Sequence, residues 1–126
     1  MTRLTEVIHA LVDVTATTTS QAINIQDAQK VSIVGQRSDN AGGSSAFSVE
    51  VSADGTNWIA YNKLIDNVTN TNTQNLTRVT SKTISADNGF IILSMDLTTD
   101  VFLSMRVTVT ETTEGTHNVW VIVSHH

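Results

Sequence analysis

The chain of 126 residues contains no cysteine. That rules out disulfides, thiolate metal sites and cysteine nucleophiles together, and leaves the redox compartment open. Proline is absent as well, which is less usual and leaves the turns to Gly, Asp, Asn and Ser. Positive charge is scarce: seven Lys and Arg stand against twelve Asp and Glu, for a net charge of -5. Those seven are scattered, so a sequence-independent grip on nucleic acid, which needs clustered cations to displace counterions, is not expected. No apolar run reaches the length of a membrane span. The N-terminus lacks the basic start, apolar centre and small-residue cleavage site of a signal peptide, so synthesis in the cytoplasm is the expectation.

What the chain has instead is β-branched residues. Thr alone is about a sixth of the sequence, and with Val and Ile it suits pleated, half-buried surfaces and disfavours long helices. A chain of this length fits one domain with one core, burying roughly two-thirds of its unfolded surface. Its organising stretch is FSVEVSADGTNWIAY, residues 47–61. Phe47, Val49 and Val51 alternate with Ser48, Glu50 and Ser52, the period of a strand with one buried and one wet face. Asp54 and Gly55 then supply the chemistry of a tight turn, and Trp58 to Tyr61 lead back, which predicts a β-hairpin.

Along the rest of the chain, residues 1–14 place Leu4, Val7, Ile8, Leu11 and Val12 at helical spacing after Thr2, a candidate N-cap. Their β-branched content favours an extended arm or first strand, followed by a single sandwich domain over 15–126. Such an arm would add to an open sheet edge or pack an apolar stripe, making Val7, Ile8 and Leu11 candidate partner contacts. A short strand over 22–25 precedes a stronger one over 30–37, in which Gly35 marks a bulge or a close approach. Residues 38–45 form a loop. Residues 66–75 are a polar, low-complexity loop, and Asn67-Val68-Thr69 and Asn75-Leu76-Thr77 match the N-glycosylation acceptor pattern at a level chance explains in so Asn- and Thr-rich a chain.

Residues 76–84 read as a strand, 85–89 as a turn, and 90–95 as a strand apolar on both parities and so either buried on both sides or covered by a neighbour. The cleanest alternation lies over 101–111, with Val101, Leu103, Met105, Val107 and Val109 on one face. A turn at Gly115 is expected to close a hairpin onto 117–124, where Val119, Val121 and Val123 oppose Trp120 and Ile122. Eight or nine antiparallel strands and no convincing helix after residue 14 indicate an all-β fold, a two-layer β-sandwich or jelly roll.

Chemical motifs are sparse. His9, His117, His125 and His126 show no zinc-ligand spacing, so no metal is expected on them. Asp27, Asp39, Asp54, Asp66, Asp87, Asp96 and Asp100 fall in or beside loops where calcium could gather carboxylates, but a turn-forming role is the stronger reading of each. Without a G-x-S-x-G elbow, a paired acid and base, or a P-loop, neither catalysis nor a cofactor is expected. Trp58 reads as core. Trp120 lies on a strand apolar on both faces, one of which suits contact with a partner.

The order of features, KVSIVGQR, then FSVEVSADGTNW, then VFLSMRVTVTETTEGTHNVWVIV, resembles a group of small tailed-virus structural proteins. The resemblance rests on Ser52, Asp54, Gly55, Thr56 and Trp58, and on Leu103, Arg106, Val107, Val109, Thr110 and Gly115. It implies a capsid decoration or cement protein of the virion, one that binds a repeating shell of major capsid protein or other virion proteins and associates with itself as a trimer or through a lattice contact. Discoidin-like and galactose-binding-like sandwiches share the hairpin pattern, which keeps a glycan-binding module as an alternative, alongside a subunit of an extracellular filament. The absence of cysteine and the scarcity of basic and aromatic residues in the loops depart from the glycan-binding pattern.

Overall fold

The computed structural model describes residues 4–38, 42–66, 78–85, 89–95, 97, 100–112 and 115–125. They form twelve strands and no helix: β1 (Thr5–Val14), β2 (Thr18–Thr19), β3 (Ile23–Asn24), β4 (Ala28–Ser38), β5 (Ser45–Ser52), β6 (Ile59–Ala60), β7 (Leu64–Asp66), β8 (Arg78–Val79), β9 (Ser81–Ile84), β10 (Gly89–Met95), β11 (Ser104–Glu111) and β12 (Thr116–His125). One sheet runs β1-β12-β4-β10-β7-β8; the other runs β2-β11-β5-β6, with β3 also on β11 and β9 also on β5. All pairings are antiparallel.

The pairing is nested from the ends inward. β1 pairs β12, β2 and β3 pair β11, β4 pairs β10, and β5 pairs β9. That is a long hairpin wrapped into two layers, the jelly-roll arrangement, with β6 to β8 added between β5 and β9. The expected eight or nine strands correspond to this set, because four of the twelve, β2, β3, β6 and β8, are only two residues long.

Between the sheets lies one core. Val31, Ile33, Ile91, Leu93, Val119, Val121 and Val123 face inward from the first sheet, and Phe47, Val49, Val51, Met105, Val107 and Val109 from the second. Each set occupies alternate positions of its strand, so the period-2 pattern of the sequence translates directly into the buried face. Gly35 proves to be a close approach: a Cβ built there would lie 2.7 Å from Cε1 of Phe47. The core also takes in Leu11 of β1, opposite Val119.

Four sequence-based expectations differ from the structure. β11 and β12 do not form a hairpin; they lie in opposite sheets, and the chain around Gly115 crosses between layers. Both arrangements leave the same alternation in the sequence, which records which face is inward but not which strand is the neighbour. Residues 78–84 are divided between the sheets, β8 on β7 and β9 on β5. β10 is covered on its inner face only: Phe90 and Ile92 are 59% and 41% exposed on the outside. Lastly, β11 begins at Ser104, and Val101 is 84% exposed instead of continuing the strand. The two glycosylation-like matches, Thr2, Asp39, Asp87, Asp96 and His126 lie outside the described residues.

Candidate interaction faces

The outward positions of the two sheets differ in chemistry. On β5 and β11 they are Ser48, Glu50, Arg106, Thr108 and Thr110, and Thr19 of β2 adds a hydroxyl whose oxygen lies 2.9 Å from that of Thr108. Glu50 and Arg106 are cross-strand partners joined at 3.0 Å. Over this pair lies Trp58, with the Arg106 guanidinium 4.3 Å from its ring centroid. Trp58 is therefore half-buried on the outside of the sandwich and is not core. Its partner stands 48 residues away in sequence, and only the opposite charges at outward positions of two predicted strands hint at the cluster.

The other sheet turns an apolar surface outward. The register sets His9, Trp120, Val34 and Ile92 in one row across four strands, and Val7, Ile122, Ser32, Ser94 and Ile65 in the next. Phe90 stands opposite Gln36 beside them. The candidate partner contacts separate here. Val7 and Trp120 share this outer face, Val7 67% exposed and Trp120 half-buried, whereas Ile8 is half-buried against the core and Leu11 is buried within it. Phe90 and Ile92 complete the surface; their even spacing on 90–95 is the signal, which fits burial on both sides or cover by a neighbour alike.

β1 is the edge strand of this sheet and is fastened to β12 along its length. At its start Leu4 O accepts from His125 N at 2.8 Å, and Glu6 pairs with the His125 ring at 2.6 Å. Farther on, the register slips twice, between His9 and Leu11 and between Leu11 and Val14, and Asp13 takes a positive φ of 48°. Asn118 holds this irregular part. Its Oδ1 accepts from the Asp13 amide at 3.0 Å and from the His9 ring at 2.9 Å, while its Nδ2 donates to Asp13 Oδ1 at 3.0 Å. The His9 ring also stacks on Trp120 at 4.8 Å. Bulges of this kind bend an edge away from further pairing.

Beneath the end of β1 is a buried polar group. Nδ1 of His117 lies 3.1 Å from Val14 O, which can only accept, so Nδ1 carries the proton and Nε2 accepts from the Ser45 hydroxyl at 2.7 Å. Both side chains belong to fully buried residues. The pair has the contact of a serine–histidine dyad, but its third member is a backbone carbonyl and solvent does not reach the hydroxyl. Arg37, opposite His117 in the register, is equally buried and donates to Gly42 O at 2.6 Å.

Three of the loop carboxylates have local work. Asp54 caps the 53–57 turn: its Oδ1 accepts from the Asn57 amide at 2.8 Å and the Thr56 amide at 2.9 Å, and its Oδ2 from the Asn57 side chain at 2.7 Å. The Asn57 and Thr56 amides hold its carboxyl well below the usual range. Gly55 turns the corner at φ 81°. Asp66 is buried and takes Lys82 of the opposite sheet at 2.9 Å. Asp100 accepts from Lys63 at 3.2 Å and from the Tyr61 hydroxyl at 3.3 Å, between two shallow grooves of about 170 and 180 Å³ that share Asp100 and Phe102. Among the described residues no three of His, Asp or Glu gather as metal ligands.

No protein-family model matches the chain, and no curated protein sequence matches it. Among solved structures, a subunit described with the Bacillus endospore appendages, a family of disulfide-linked pili, aligns at a TM-score of 0.35 and 14% identity over 99% of this chain and 84% of that one. The SPBc2 prophage-derived protein YomS superposes at a TM-score of 0.67 and 10% identity, over 98% of this chain and 96% of that chain. The chain therefore shares an all-β sandwich fold, nearly end to end, with a protein of prophage origin.

Proposed function

We propose that the chain is a non-enzymatic structural protein of a tailed-virus particle, a decoration or cement protein that binds the lattice of major capsid protein and associates with copies of itself. The observation that carries this reading is the contrast between the two outer faces: an apolar surface suited to a protein partner backs a hydroxyl-rich surface suited to solvent. A sandwich of this design offers broad flat sides for assembly. The prophage origin of YomS, whose fold is shared over almost the whole chain, supports a virion setting.

The test is addition of the purified chain to shells assembled without it, followed by imaging. Regular density at symmetry-related positions, and a raised temperature of shell disruption, are the expected results. Shells that stay bare at saturating protein would remove the reading.

A further inference from the structure

We infer that the outer face of the β1-β12-β4-β10 sheet is a self-association surface, on which a second copy of this chain packs sheet against sheet about a two-fold axis. The inference deepens the self-association in the proposed function and adds the face and the symmetry. Its centre is Val7, Val34, Phe90, Ile92, Trp120 and Ile122, contributed by four neighbouring strands whose registers align them side by side.

Size is the first argument. With β7 included the surface spans five strands, and at strand spacings of about 4.8 Å and a length of about eight residues it covers roughly 600 Å² in flat projection. Accessible area exceeds flat projection, so this approaches the roughly 800 Å² per partner of a standard interface.

Charge is the second. The chain carries -5 overall, yet β12, β4, β10 and β7 place no Asp or Glu at an outward position on this face. The acids at its border are already engaged, Asp13 by Asn118 and Glu6 by His125. Two copies meeting through these strands bring no carboxylates together. Sheet geometry fits as well: antiparallel sheets pack face to face about 10 Å apart through alternating side chains. The face meets itself, so the contact is isologous and closes as a dimer, in place of the trimer expected from the sequence.

Sedimentation equilibrium of the full chain from micromolar to sub-millimolar concentration should show a reversible monomer–dimer transition. Ile92→Lys and, separately, Val7→Lys should each keep the far-ultraviolet circular dichroism of the fold and weaken the dimer at least about a hundredfold, since each buries an unpaired charge in the contact. Thr108→Lys on the far sheet should change nothing. A monomer at every concentration overturns the inference, as does a dimer or higher oligomer indifferent to both lysine variants. A monomer that still decorates shells through this face would assign the face to a different protein and leave the proposed function standing. A dimer that ignores shells would do the reverse.

Discussion

The ring of Phe47 covers Gly35 across the space between the sheets, leaving no room for a methyl group on that glycine: a Cβ there would lie 2.7 and 2.8 Å from two ring carbons and 2.9 Å from Cγ1 of Ile91. The aromatic ring takes the volume that a side chain on β4 would otherwise fill.

Gly35→Ala is therefore expected to destabilise the fold by about 1–3 kcal/mol, the usual cost of overpacking a close-packed core. Gly35→Ala combined with Phe47→Leu should recover part of that loss, because the smaller side chain yields the space. Urea denaturation of both single variants and the double variant measures the coupling; additive effects would contradict the contact.

The Ser45–His117 hydrogen bond predicts a different kind of loss. Ser45→Ala leaves the His117 Nε2 acceptor sealed without its donor, at a cost of about 1–3 kcal/mol. Because the other ring nitrogen holds Val14 O, the effect should spread to the end of β1. Hydrogen exchange read by mass spectrometry should show faster exchange over residues 11–14 in Ser45→Ala, with β5 and β11 unchanged at their centres.

Acid should loosen the 53–57 turn. The Asp54 carboxyl is held below its ordinary value of 3.8, first by the Asn57 amide and next by the Thr56 amide. A group whose folded value is depressed stabilises the fold above its ordinary value and loses that contribution as the pH falls. The amide resonances of Thr56 and Asn57 should thus titrate together in strong acid, below pH 3.8, and Asp54→Asn should abolish that titration while keeping the turn.

Trp58 reports on the Arg106–Glu50 pair. Arg106→Ala removes both the guanidinium over the indole and the ion pair, a change of about 0.5–1 kcal/mol at a half-exposed site. Trp58 emission should shift to longer wavelength. In a Trp120→Phe background the shift is attributable to Trp58 alone.

Alternation made most of this fold legible. The inward residues of β5, β11 and β12 are those expected from the sequence, and β1 is extended despite the helical spacing of Leu4, Val7, Ile8 and Leu11, because two register slips let an irregular apolar pattern sit on a strand. What alternation does not encode is the identity of the neighbour. The Gly115 turn looked like a hairpin for that reason, and 78–84 looked like one strand where two sheets each take a piece. The candidate surface was partly visible: Val7 and Trp120 belong to it, but Leu11 is core, and the sequence leaves Phe90 and Ile92 between the interior and a partner-covered face since nothing local distinguishes an apolar side chain awaiting a partner from one already covered.

The end-to-end pairing of β1 with β12 sets the order in which the molecule comes into being. β1 waits for β12, so while the ribosome still holds the β12 residues, β1 has no mate and β4 lacks one of its two neighbours. The sandwich closes only once β12 has emerged, and until then the nascent chain depends on its polar residues, or on a chaperone, to stay out of aggregates.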